Sequence, residues 1–165
     1  MQCRLRGIPT KGEVRMNKTT IMLATLTEVP RLLDMMEDFN RIEQTTWNRG
    51  DGATALLRLL NDRDLGVVGL LVESENVVGY FILTWGFDLE WNGRDAFLTD
   101  LYLIPGVRGR GLSRPFFAQI EGIARDNGAN ALHLMVRPEN TAAYRLYEGA
   151  GYRSPPRVLL SKDLR

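Results

Sequence analysis

The chain has 165 residues, with 21 basic and 20 acidic side chains, a formal net charge of +1 and 44% hydrophobic residues. That length suits one domain with its own core, and the composition excludes a largely disordered chain. The charge balance lacks the basic excess of a dedicated nucleic-acid binder, and one cysteine (Cys3) with one histidine (His133) cannot build a Cys/His metal cluster.

Residues 1–18 are basic but carry no apolar signal-peptide region. They read as a disordered tail, with Met16 as an alternative start, and residues 19–165 read as the single domain. The longest apolar run, Leu65 to Val72, is broken by glycines and falls short of the roughly 20 residues of a membrane span. No membrane association is expected, and the cytoplasm is the default location.

Ile21 to Thr25 reads as a first strand. Thr27 then offers an N-cap and Pro30 suits a first helical turn. Leu32, Leu33, Met36 and Phe39 repeat near 3.6, so Pro30 to Ile42 is an amphipathic helix with Met35 and Met36 as core filling. Asn48 to Gly52 reads as a loop and Ala53 to Leu60 as a second helix. Leu65–Val72 and Val77–Trp85 are β-rich runs joined at Glu73 to Asn76, a hairpin signal. Ala96 to Ile104 is a third long strand, stopped by Pro105-Gly106. Helix returns from Leu112 to Asp126, with Asn127-Gly128 as its stop. Ala131 to Val136 is a buried strand, Asn140 to Glu148 a helix, and Val158 to Ser161 a last strand. Continuous apolar strands imply a sheet covered on both faces. The class is therefore mixed α/β, with a largely antiparallel sheet and helices on both sides.

The chemistry concentrates in Leu101 to Arg114, LYLIPGVRGRGLSR. A strand ends, a loop carries Arg108, Gly109, Arg110 and Gly111, and a helix begins near Leu112. Glycines allow close backbone approach, and a helix N-terminus aims free N–H groups at an anion. A phosphate or pyrophosphate would fit this loop; so would a plain tight turn with solvated arginines. No Gly-Lys-Ser/Thr follows, so it is not a Walker loop.

Arg108-Gly109-Arg110-Gly111-Leu112-Ser113 resembles the acyl-CoA pyrophosphate loop, Arg-X-X-Gly-X-Gly/Ala, of the GNAT superfamily of N-acyltransferases. Ser113 departs from the small apolar residue at the last position. PENTAAYRLYEGAGY resembles a second motif of that family, with Asn140 opening a helix and Tyr147 two turns later. Leu101-Tyr102-Leu103 resembles the strand end before the loop. The resemblance covers about residues 21–164 and implies the GNAT fold. It implies that the strand ending near Leu103 splays from the strand at Leu132 to Val136. It further implies that acetyl-CoA, the cosubstrate, lies in that cleft. Its pantetheine would bond the backbone of Leu101 to Leu103, and its pyrophosphate would meet the N–H groups of Gly109 to Arg114. Asn140 would reach the cosubstrate, and Tyr147 would sit near the thioester sulfur.

Acetyl transfer to an amine needs a route for the ammonium proton, a donor for the developing oxyanion and an acid for the thiolate. A lysine-like amine, pKa about 10.4, is almost wholly protonated near neutral pH. The backbone N–H of Leu103 would serve the oxyanion and Tyr147 the sulfur. Asp100 is the acid on the strand nearest the thioester. The polyamine-acetyltransferase branch carries Glu-Asp there, but its glutamate falls on Thr99, so Asp100 is a catalytic base or a structural acid. A water chain ending at Asp95 or Glu90 would serve as well. His133, alternating with Leu132 and Leu134, reads as a packed residue. Glu37 and Asp38 read as a solvated face, or as an attraction for a cationic acceptor if they face the cleft. The function expected is acetyl transfer from acetyl-CoA to a primary amine of a small molecule or a protein. The alternative is a non-catalytic acyl-CoA-binding sensor, which would not need an acid at the sulfur. No metal and no nucleic acid are expected, and a homodimer stays open.

Overall fold

The computed structural model describes residues 19–164. The expected disordered tail, Met16 and Cys3 lie outside the described residues.

Strand β1 (Thr19–Leu23) is followed by a 3-10 turn (Leu26–Glu28) and helices α1 (Val29–Glu43) and α2 (Arg49–Asn61). Then come β2 (Gly66–Glu73), β3 (Asn76–Asp88), a 3-10 turn (Leu89–Trp91) and β4 (Gly93–Leu103). A third 3-10 turn (Pro105–Val107), α3 (Ser113–Asp126), β5 (Ala131–Leu134) and α4 (Thr141–Gly149) complete the order. The strands form one five-stranded sheet in the order β1-β2-β3-β4-β5. The first three pairings are antiparallel, and β4 with β5 is parallel.

Local chemistry accounts for the elements. In the β2–β3 hairpin Ser74 and Glu75 both take positive φ, 47° and 73°. Two left-handed residues in a two-residue loop match the right-handed twist of the strands they join. Thr25, not Thr27, starts the first helical segment: its side chain and that of Glu28 form a reciprocal capping box. Pro30 sits in the first turn of α1 as expected. Helix α2 begins four residues before Ala53, because Asn48 Oδ1 accepts from the N–H groups of Gly50 and Asp51 at 2.8 and 3.1 Å. The cap offsets the low helix propensity of Gly50 and Gly52. Gly52 packs on Trp47 so closely that a Cβ would lie 2.5 Å from the indole.

Side chains alternate across the sheet and feed two cores. One face packs Leu71, Phe81, Leu83, Ala96 and Leu98 on Phe116, Phe117, Ile120 and Ala124 of α3. The other packs Val68, Leu70, Tyr80, Ile82 and Tyr102 on Leu32, Leu33, Met35, Met36 and Leu56 of α1 and α2. The sheet is thus covered on both sides, which explains the near-continuous apolar run of β2.

Two expectations need correction. Strand β5 stops at Leu134 and is half-buried throughout, so His133 is not in a buried strand; Met135 already points outward, 64% exposed. Residues Val158 to Ser161 form no strand. Pro155 and Pro156 have no N–H to give a ladder, and Arg157 is held by Glu90 at 2.6 and 3.2 Å. The apolar triplet that follows stays outside the sheet, with Val158, Leu159 and Leu160 at 83, 64 and 87% exposed. Among the described residues, no helix is long and apolar enough to cross a membrane.

Candidate active site

Strands β4 and β5 run together from Asp95/Ala131 to Leu98/Leu134 and then part. Strand β4 continues for five more residues, Thr99 to Leu103. Ile104 donates its N–H to Val78 O at 2.9 Å. Alternation along the strand therefore turns the N–H and C=O of Leu103, and of Leu101, toward the edge that β5 has left. Arg108 Nε already occupies the Leu103 carbonyl at 2.7 Å, and its guanidinium lies 5.3 Å above the Tyr102 ring. The Leu103 N–H remains the outward donor.

A cleft of about 570 Å³ opens at this divergence. Of the expected residues, Leu101, Tyr102, Leu103, Arg108, Gly109, Gly111, Ser113, Arg114, Asn140 and Tyr147 line it. Gly109 and Gly111 take φ of +75° and +77°, the left-handed region that favours glycine. They turn the chain sharply into α3, whose first residues have no side-chain cap. The loop therefore presents backbone N–H groups and arginines together, the donor set an anion requires.

Three expected residues lie outside the lining. Leu112 is buried in the core, 6% exposed, so it can offer its backbone and not its side chain. Arg110 turns away to Glu73 Oε1 at 2.8 Å, an acid 7% exposed at the end of β2. Asp100 is half-buried and accepts a hydrogen bond from Tyr80 Oη at 2.8 Å. Burial raises the Asp100 pKa, and the charge of Glu43 adds to the rise; the Tyr80 bond opposes them. Tyr80 is fully buried and packs against Tyr102 and Phe39, so Asp100 is tied into an aromatic cluster on the α1 side.

Tyr147 projects from α4 with its ring 5.2 Å from Phe117 and 6.1 Å from Tyr152. Burial raises its pKa, with a further rise from Glu43, so the phenol holds its proton. Asn140 caps α4, its Oδ1 accepting from Ala143 N at 3.2 Å, which leaves its Nδ2 as a donor.

Glu43 is the acid that sequence reasoning missed. It closes α1, one residue beyond the expected end, and lines the cleft with Phe39 and Ile42. The period-3.6 pattern already placed Phe39 inward, and Glu43 lies one turn on from it. The other acids are engaged: Asp95 Oδ2 lies 3.3 Å from His133 Nε2, and Glu90 holds Arg157. Glu37 pairs with Arg49 at 3.0 Å, and Asp38 pairs with Arg41. Among the described residues no cluster of His, Cys, Asp or Glu is placed to hold a metal.

Residues 32–152 match the Acetyltransferase (GNAT) family. A 75-residue stretch is 33% identical to a thialysine N-epsilon-acetyltransferase of Bos taurus, covering 46% of this chain and 44% of that protein. The chain thus spans less than half the length of the curated relatives it matches first. An integron cassette protein from the mobile metagenome of Cole Harbour Salt Marsh superposes with a TM-score of 0.77 at 28% identity, over 88% of this chain and 90% of that one. An aminoglycoside N-acetyltransferase solved in complex with CoA shares the fold, with a TM-score of 0.74 at 14% identity over 92% and 99% of the two chains.

Proposed function

Because the chain belongs to the acetyltransferase (GNAT) family, we propose that it transfers an acetyl group from acetyl-CoA to a primary amine that attacks the thioester directly. The observation that carries this reading is the parting of β4 from β5 beside a glycine–arginine loop, with Tyr147 in the same cleft. Acetyl-CoA supplies an activated acyl group and a thiolate leaving group.

The chain's own residues divide the remaining work. The outward N–H and C=O groups of Leu101 extend β4 toward the amides of the pantetheine arm. The N–H groups from Gly109 to Arg114, with the Arg108 and Arg114 side chains, hold the pyrophosphate at the start of α3. Asn140 adds a donor from the opposite wall. The Leu103 N–H faces the acyl oxygen as negative charge develops on it. Tyr147, kept neutral by burial and by Glu43, donates to the sulfur.

Glu43 gives the cleft a carboxylate, and this supports a cationic amine as acceptor. Its charge would hold the ammonium, and its oxygens would take the proton. Asp100, outside the lining, would act through an intervening water; burial raises its pKa and makes its carboxylate the stronger base. A panel of cationic, neutral and anionic amines, assayed for CoA release with a thiol reagent, tests the proposal. Amine-dependent release, strongest for diamines and other cationic acceptors, is the expected result. Tight acetyl-CoA binding with no release from any amine would instead favour the sensor.

A further inference from the structure

Arg137 sits in the tight turn that joins β5 to α4. Pro138 presets the turn, and the Asn140 N–H closes it on Arg137 O at 2.9 Å. Asn140 also caps α4, so the turn is fixed to one wall of the active-site cleft. The Arg137 side chain crosses to the other wall, where Nη1 donates to the main-chain oxygen of Glu43 at 3.4 Å. Glu43 lines the cleft, and its charge is felt at both Tyr147 and Asp100. A guanidinium therefore stands at the mouth, beside the acid assigned to the ammonium.

The end of α1 does not depend on this cation. Gln44 closes the helix at a left-handed φ of 57°, and the Thr45 N–H reaches Asn40 O at 3.0 Å. The charged partner of Arg137 is Glu139, 3.7 Å away and 74% exposed, where an ion pair is worth little. Arg108 and Arg110, by contrast, hold their oxygens at 2.7 and 2.8 Å. Arg137 keeps most of its N–H donors to spare, on a side chain 44% exposed. Its bond goes to the main chain of Glu43 and not to the carboxylate, so the two opposite charges stand close without cancelling.

We propose that the amine acceptor carries a carboxylate remote from its reacting nitrogen, and that Arg137 grips this carboxylate with a forked pair of hydrogen bonds. Given the acetyl transfer proposed above, on which this rests, the acceptors selected are α,ω-diamino acids. The remote ammonium loses a proton near Glu43, and its nitrogen attacks the thioester carbon. The C–N bond forms, the C–S bond breaks and the thiolate is protonated from Tyr147. The carboxylate stays on Arg137 throughout and fixes which amine faces the thioester.

Ornithine and lysine, each beside its own carboxamide, test the assignment, because each pair keeps the remote amine and turns the carboxylate into a neutral amide. CoA release should give a kcat/KM at least about tenfold higher for one of the acids than for its amide, with the difference in KM. Arg137→Ala should bring that ratio close to one, and Arg137→Glu should invert it, whereas a merely structural Arg137 would lower both members of the pair alike. Fragment-ion mass spectrometry should find the acetyl group on the amine remote from the carboxylate; attachment to the neighbouring amine would overturn the proposal. Equal rates for acid and amide, release confined to amines without a carboxylate, or a ratio unmoved by Arg137→Ala would overturn it too and leave acetyl transfer standing. No release from any amine would overturn acetyl transfer itself, and the selection of acceptors with it.

Discussion

Replacing Tyr147 by phenylalanine removes one phenolic O–H and keeps the ring that packs against Phe117 and Tyr152 at 5.2 and 6.1 Å. Stability should change little, because the aromatic contacts carry the packing. The chemical consequence is larger. Reference values of about 10 for a phenol and 8.5 for a thiol make full proton transfer to the thiolate uphill by roughly 2 kcal/mol. Burial and the Glu43 charge raise the Tyr147 pKa further, so the mismatch widens. Tyr147 is therefore expected to donate a hydrogen bond as charge gathers on sulfur and to release its proton late. Tyr147→Phe should lower kcat by about 10²–10⁴-fold, with acetyl-CoA affinity held within a few-fold. The sign of the pH effect follows from the same shift. A raised pKa keeps the donor in place past the ordinary phenol range, so the ratio of wild-type to variant kcat should stay flat through neutral and mildly alkaline pH. Acyl donors with better leaving groups than CoA should narrow the gap. Pre-steady-state measurement of the chemical step, with binding followed by calorimetry, gives both quantities. An unchanged chemical rate in the variant would refute the assignment.

Gly111→Val should weaken acetyl-CoA binding by about 2 kcal/mol or more by calorimetry, since valine disfavours the φ of +77° that aims the loop N–H groups and adds bulk where the pyrophosphate would lie; equal affinity would mean the loop does not hold the pyrophosphate. Glu73→Gln releases Arg110 from its buried partner, and KM for acetyl-CoA should rise while kcat holds, because the loop then samples more conformations; Arg110→Ala should give the same effect and the double variant no more. Thr25→Ala breaks the capping box and should cost about 0.5–2 kcal/mol by denaturant melts. Its partner Glu28 has its pKa lowered to about 2, chiefly by the Thr25 and Thr27 hydroxyls. A lowered carboxylate pKa contributes stability above the unfolded value, lost as pH falls toward 2, so the gap between wild type and Thr25→Ala should close in acid.

The cleft is legible in the sequence wherever one local signal decides the geometry. Gly109 and Gly111 announce a turn that few other residues can make, and Pro105 marks the strand end before it. Periodicity places α1, because Leu32, Leu33 and Met36 recur on one face. Residues whose roles depend on distant partners are not legible in this way. Arg110 reads as an anion ligand until Glu73, 37 positions earlier, is seen to hold its side chain. Glu43 gains its place because α1 crosses the end of β4, a tertiary relation with no sequence period. The start of α2 is hidden by two glycines that the Asn48 cap outweighs. Val158 to Ser161 has strand composition, but among the described residues no strand lies beside it.

The parallel contact between β4 and β5 also has a kinetic consequence. Strands β1 to β4 are antiparallel throughout, and β2 to β4 follow one another through short turns. Strand β5 reaches β4 only after the chain has passed through α3, and it makes four paired positions there. The β4 and α4 walls of the cleft are therefore expected to close at different times, the meander first and β5 with α4 afterwards. Amide exchange in β5 and α4 should run ahead of exchange in β2 and β3, since partial opening releases the outer wall and leaves the meander intact. A molecule lying across the cleft bonds to both units. At a hundred times its dissociation constant it would add about 2.7 kcal/mol against that opening. Protection should then rise most in the strand that docks last.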